Sequence, residues 1–537
     1  MAIGCVTVTN TLHDWAEAEA AALDGQEGRR DETAPRLPGA RRASYVVMGV
    51  LFLVMCAWSA FQWHRGGDGQ DISDFNQSAW LIIHGNLNPY SSVTGGVTFL
   101  QDHFALFLYP LLAVYALHPS GLTLLLLQDL ACALASLVAI LWIIELFERQ
   151  LAQAAPVITR RFAALCVAGC LAMLAFDPWL WQGISFDFHM EAFSALFLVL
   201  AGRSFWRHRP VIAILWCMLA LTTSDYAGLF VLALGVCVLV AGTGVRRWGL
   251  VAVGVGVCWI LLVGALGDNQ GDNLQAYAYI TGAAGTVTTP QLAWAMAAHP
   301  GRWGSMLATK PLDLYRNLVP TGLLSVVSPW SFAVVLSVIV PAALLPPPIF
   351  LESGFQTIPA EIFGLCGSVF LLLWIGRVVG RRWSAARARL VMGTLCMAVF
   401  VQFIGVAVVM LPRIPTFWIR VSGPQGDAIQ KAENLIPESA EVIVSSPVMG
   451  HFSGRQWVFA SIRPGQVFPI ERHSVYIVVA PTAGIISMEP GVSQQVITDA
   501  ERFGAQPVLN ENGVTVLQWH PPPGRQTVEL LPSSAGG

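Results

Sequence analysis

The chain has 537 residues, 55% of them hydrophobic and only 12% charged, with a formal net charge of −3. A water-soluble chain of this length carries about twice that share of charge, and so small a net charge gives no reason to expect a nucleic acid partner. Several apolar runs exceed the roughly 18 residues that mark a bilayer-spanning helix, so the sequence describes an all-α polytopic membrane protein in contact with the lipid bilayer.

Residues 1–43 are polar, end in Arg41 and Arg42, and lack the short basic start and early apolar core of a cleaved signal peptide. They read as a disordered cytoplasmic tail. The first span is expected at 44–63, and the positive-inside rule places residue 64 outside. Basic clusters recur at Arg160/Arg161, Arg203/Arg207/Arg209, Arg246/Arg247 and from Arg377 to Arg389. Between them lie segments rich in carboxylates and histidine: 64–103, 177–191, Asp225 and 267–310. The two kinds alternate, which puts the acidic and histidine motifs on the outer face and the arginines on the inner one.

The first outer loop, 64–103, contains "DISDFNQSAWLII", with Phe75, Ala79 and Ile82 on one face of a short amphipathic helix suited to the membrane interface. Asp71 and Asp74 stand at its start, where a helix N-terminus favours carboxylates, so each is a capping residue or a chemical one. "LQDHF" then places Asp102 and His103 at the membrane boundary. Residues 104–118 leave room for a partly embedded piece, and the Pro-rich region 312–376 for one crossing or three; the total is expected at about 9 to 11 spans.

"FDFHME" sets Asp187, His189 and Glu191 within five residues, between two apolar stretches. Ionisable groups beside a membrane span are costly and point to function. On a helix Asp187 and Glu191 would share a face with His189 turned away, and a carboxylate with an imidazole can hold a divalent cation or position a substrate. A solvated helix entrance is the plain alternative. Asp225, in "TTSDYAG", interrupts another apolar run at the same outer level. Nine of the ten cysteines lie in apolar runs, so no disulfide framework is expected in the polar parts. A Walker loop, H-E-x-x-H and G-x-S-x-G are all missing.

The transmembrane part is expected to end at 411. Beyond it, "EVIVSS", "SVYIVVA" and "VTVLQW" read as strands and "SQQVITDAERFG" as a helix with Gly504 as its C-cap. Residues 412–520 therefore suggest a small α/β domain, extracytoplasmic by the parity of spans, followed by a disordered tail at 521–537.

Taken in order, "DISDFNQSAW", "DHFALFLYPLLAVYALHPSGLTLLLLQ", "FDFHMEAF", "SDYAG" and "IPESAEVIVSSPVMGHFSGR" resemble the bacterial membrane-protein family known as domain of unknown function 2079, over roughly residues 44–520. That family in turn resembles the GT-C glycosyltransferases, which move sugars from polyprenyl-phosphate carriers on the outer membrane face. The resemblance implies a multi-pass plasma-membrane protein with a cytoplasmic N-terminus, a sugar–polyprenyl-phosphate donor and an acceptor in the cell envelope. It implies Asp71 as catalytic base, with Gln77, Trp80, His103, Asp187, His189, Glu191 and Asp225 as substrate-binding residues. Ser224 stands where the family usually has a glutamate. Charge on the departing phosphate calls for a cation at Asp187 and His189 or a basic side chain, Arg302 or Lys310. Two other classes remain: a lipid or solute transporter or flippase, and a non-catalytic scaffold.

Overall fold

The computed structural model describes residues 36–65, 69–93, 97–153, 157–266, 275–282, 287–344, 354–419, 421–460, 462, 464–481 and 490–531. Most of the expected N-terminal tail, residues 1–35, lies outside them. Among the described residues, six helices are long and apolar enough to cross a membrane: Pro38–His64, Gly121–Ala152, Arg160–Phe186, Arg246–Leu266, Gln356–Arg382 and Ala385–Pro415. Shorter apolar helices, Glu191–Trp206, Pro210–Leu221, Ala227–Ala241 and Phe332–Leu344, pack among them. The first helix starts at Pro38 rather than 44, because Pro at the first turn suits a helix start and Arg41 is held by Glu148 at 2.6 Å.

The expected alternation of charge appears as two ends of one bundle. At one end Arg203 and Arg207 both pair with Glu145, and Arg377 Nε donates to Gln150 at 2.9 Å. At the other gather the loop helix Gln70–Ile83, the segment around His103 and the C-terminal domain.

Both uncertain regions stop short of extra crossings. Residues 108–115 form an eight-residue helix, Leu108–Tyr115, tied to the loop helix by Tyr115 Oη, which donates to Asn76 Oδ1 at 2.7 Å. Residues 311–344 dip into the bundle and return. Trp330 meets Phe370 and Trp142 at 5.3 and 6.5 Å between ring centres, and Leu344 returns to accept a 2.8 Å bond from Tyr279. The turn of this dip holds only a single 3-10 turn, Leu324–Val326, and Thr321, Ser325, Ser331 and Ser368 satisfy its polar groups among themselves. Asp177, expected in an outer loop, instead sits at a kink within the span Arg160–Phe186. It caps the helix Pro178–Phe186 through the amides of Trp179 and Leu180.

The C-terminal domain has a five-stranded sheet in the order β2-β1-β4-β6-β5, where β1 is Glu441–Val444, β2 Val458–Ala460, β4 Val475–Val479, β5 Gln506–Glu511 and β6 Val514–Trp519. Strands β2, β1 and β4 run parallel, while β6 and β5 are antiparallel to their neighbours. Alternation sends Val442 and Val444 against the helix Gly423–Leu435, and Ile443 and Ile477 against the helix Pro490–Arg502. Gly504 follows that second helix with φ +89°, the left-handed cap its position demands. The expected disordered tail from 521 is ordered in its first part: β7 (Thr527–Glu529) pairs with β3 (Val467–Pro469), and Leu530 and Leu531 are buried.

This domain roofs the loop helix. Asn76 Nδ2 donates to Ser453 at 2.8 Å, and Gln77 Nε2 donates to Ser92 Oγ at 2.7 Å and to the Gln456 carbonyl at 3.0 Å. Gln77 Oε1 accepts from the Ser92 amide at 3.0 Å, and Ser92 Oγ closes the circuit on both backbone groups of Val458 at the sheet edge. Replacing Gln77 by alanine leaves several buried groups unpartnered, and is expected to destabilise the docking by on the order of 3 kcal/mol. Hydrogen exchange at 91–93 and 455–458 should rise; unchanged exchange there would refute the hub role.

Candidate functional site

The loop helix starts at Gly69 with no side-chain cap of its own, so neither Asp71 nor Asp74 is the capping residue. The cap comes from 116 residues away. Asp187 Oδ2 accepts from the Asp71 amide at 3.1 Å, and its Oδ1 from the amides of Ile72 and Phe188, both at 2.9 Å. The free amides and dipole of a helix N-terminus favour such an anion. A Cβ at residue 69 would lie 2.5 Å from Asp187 Oδ2, so only glycine allows this approach.

The expected helical face shared by Asp187 and Glu191 does not form. One helix ends at Phe186 and the next begins at Glu191, with Asp187 extended between them. Gln128 holds this break open. Its Nε2 donates to the Asp187 carbonyl at 3.1 Å, and its Oε1 accepts from the His189 amide. Sequence reasoning missed Gln128, although an amide in the middle of "LLLLQDLACAL" was a usable signal.

The break turns His189 towards the loop helix, where its Nε2 lies 3.7 Å from Asp71 Oδ2. Asp71 is the open carboxylate of the pair, with 35% of its side chain exposed against 6% for His189. On the neighbouring face, His103 Nε2 lies 3.4 Å from Asp74 and 3.6 Å from Asp102. Phe75 stacks on His103 at 4.8 Å and meets Phe188 edge-on at 5.0 Å, joining the two halves. Asp225 is half-buried, with Oδ1 on the Tyr226 amide at 3.1 Å. Its turn is stitched to the "DHF" segment by the Phe107 amide, which donates to the Thr222 carbonyl at 2.7 Å. Glu191 is buried at the start of its helix.

These groups set one another's charge. Burial pushes the Asp74 carboxyl up to about 6, against the pull of His103. The surrounding protein also raises Asp71, although part of its surface is open, and His103 opposes that shift. For His103 burial works downward, but Asp74, Asp102, Asp71 and Asp225 outweigh it and raise the imidazole. His189 is held well below its ordinary value by burial and by His103, which keeps it neutral.

The arrangement thus unites Asp71, His103, Asp187 and His189, with Asp225 and Glu191 close by, and adds Asp74. Two expected substrate contacts lie elsewhere. Gln77 is bound up in the roof, and Trp80, about half a turn around the helix from Asp71, stacks on His84 at 3.9 Å. Arg302 donates to the Ile280 carbonyl at 3.0 Å. Lys310 lies in the field of Asp313.

A polytopic helical bundle with a carboxylate–imidazole cluster at one end, covered by an α/β domain, defines a membrane protein of the kind found in one sequence family. The chain belongs to the family described as "Predicted membrane protein (DUF2079)", whose model matches residues 69–484. Among solved structures it is similar to ArnT from Cupriavidus metallidurans bound to undecaprenyl phosphate, at 12% identity and a TM-score of 0.43, covering 87% of this chain and 97% of that one. No curated protein matches it in sequence.

Proposed function

We propose that the protein is a membrane glycosyltransferase of the GT-C type, moving a sugar from a polyprenyl-phosphate carrier to an acceptor hydroxyl, with Asp71 as general base. The observation that carries this reading is Asp71 itself: an open carboxylate fixed at a helix start by Asp187 and set 3.7 Å from a neutral imidazole. A rigid carboxylate in a partly desolvated site, with its pKa raised, is a better base near neutral pH than one in water. The site lies where the bundle meets the roof domain, within reach of a lipid headgroup on one side and a water-side acceptor on the other.

In the proposed reaction the acceptor oxygen attacks the anomeric carbon while Asp71 takes its proton. The bond from that carbon to the phosphate oxygen breaks, and the electron pair leaves on the polyprenyl phosphate. His189 borders the base and Asp187 fixes its backbone, while Glu191 and Asp225 line the approach. Turnover of purified protein with a panel of polyprenyl-phosphate sugars tests this, with Asp71→Asn as the control. Turnover that does not depend on Asp71 would overturn it.

The outer placement of this end is part of the proposal. In a cysteine-free background, single cysteines at the exposed positions Asn86 and Ser439 should react with an impermeant thiol reagent in intact cells, and one at exposed Ala386 should not. The reverse pattern would put the site on the cytoplasmic side, away from the proposed substrates.

Transport has one observation in its favour: Asp129, Asp177 and Glu361 are buried within spans. They are separate from Asp71, so a transport activity abolished by Glu361→Gln but not by Asp71→Asn would select that reading.

A further inference from the structure

We infer that Asp74, Asp102 and His103 form a site for a divalent cation of the manganese or zinc kind. One ligand atom from each lies within 4.8 Å of the others. The separations of His103 Nε2 from the two carboxylates, 3.4 and 3.6 Å, are too long for good hydrogen bonds. They match the roughly 3.0–3.5 Å expected between donors that share one ion at about 2.1 Å. The third donor, Asp102, stands at the end of the one-turn helix Phe99–Asp102.

A second observation points to a ligand independently of the cluster. Asp74 is 1% exposed, and neither of its oxygens has a hydrogen-bond partner. The Ser91 hydroxyl, which favours the charged form of Asp74, donates to Gln77 Oε1 at 3.2 Å. A buried carboxylate so poorly supplied with donors is costly, and a cation removes that cost. His103 is held ready by its stack on Phe75. Two oxygens and one imidazole nitrogen suit a borderline cation better than Mg²⁺ or Ca²⁺, which take all-oxygen sets.

The set leaves coordination positions open on one side. Asp74 closes the floor, while His103 and Asp102 have 31% and 15% of their side chains exposed. An ion there would take an oxyanion such as a phosphate headgroup as its exogenous ligand. The site differs from the one expected at Asp187 and His189, because Asp187 is engaged by the loop helix. The cation site holds whether or not the glycosyltransferase reading does.

The test uses the full chain in detergent and the metal alone. Mn²⁺ binding is followed by electron paramagnetic resonance, and Zn²⁺ binding by competition against Mn²⁺. Wild type should bind one ion, and Asp74→Asn, Asp102→Asn and His103→Gln should each weaken binding by at least about tenfold, since even outer-shell changes cost 10–100-fold. The remote Asp313→Asn should bind as wild type does. Melting in EDTA shows whether each variant is folded, and Asp102→Asn, nearest the rim, is the one least dependent on packing. The proposal is overturned if wild type binds neither ion at millimolar concentration, or if folded variants bind as tightly as wild type.

Discussion

Asp71→Asn is expected to lower sugar transfer by about 10²-fold or more, the usual scale for losing a general base, while the protein still folds and inserts. Asparagine keeps the size of the side chain and removes the proton acceptor. The helix start does not depend on this side chain, because its amides are held by Asp187 and its own first residue makes no side-chain cap. A purely structural Asp71 would therefore show little in either measurement. A distinguishing signature is the split between binding and turnover: donor affinity should change by less than about threefold while the transfer step falls. Full activity in Asp71→Asn would remove the base from the mechanism.

Asp187→Ala should produce the second large effect, by a different route. Three buried amides, those of Asp71, Ile72 and Phe188, lose a charged acceptor together. Hydrogen bonds to charged groups contribute about 1.5–3 kcal/mol each, and an orphaned buried donor costs about 1–3 kcal/mol. The first turn of the loop helix should therefore fray, and hydrogen exchange at 71–73 should accelerate strongly. Activity should fall because the base is no longer fixed; a misplacement of about 1 Å can cost 10²-fold. Gly69→Ala should partly reproduce the effect by pushing the carboxylate away. Asp187→Asn should be milder, since an amide oxygen still accepts. Slow exchange at 71–73 in Asp187→Ala would show that the clamp is not what holds the helix.

The bundle and its two chemically distinct ends were legible because arginines and carboxylates alternate along the chain at bilayer-length intervals. The same alternation places Asp71, His103, Asp187 and His189 on one side. The details of the site were not legible, for a common reason. Gln128 breaks the helix at 187–190 from another span, so local periodicity around "FDFHME" still read as helical. The diversion of Gln77 follows from a roof contributed more than 300 residues later, with Gln77 meeting Gln456 at a separation of 379. An amphipathic pattern shows which face is apolar, but not that the polar face will be covered by protein. The dip at 311–344 escaped for the opposite reason, since its serines and threonines satisfy the backbone within the segment and leave hydropathy almost undisturbed.

The roof also sets an order of events during synthesis. Asn76 and Gln77 wait for residues 453–456, the last quarter of the chain, before their polar groups are satisfied. Contacts at such separation form late, because the intervening chain must first be made and brought back. Until then the loop helix has water where its roof will be, and the side-chain amides of Asn76 and Gln77 are hydrated rather than enclosed. A nascent chain stopped at residue 411 is thus expected to be a membrane-inserted but unfinished protein, with its spans in place and its loop helix still uncovered. Completion of the C-terminal domain would then be the step that arms the site, after the whole chain has been committed to the membrane.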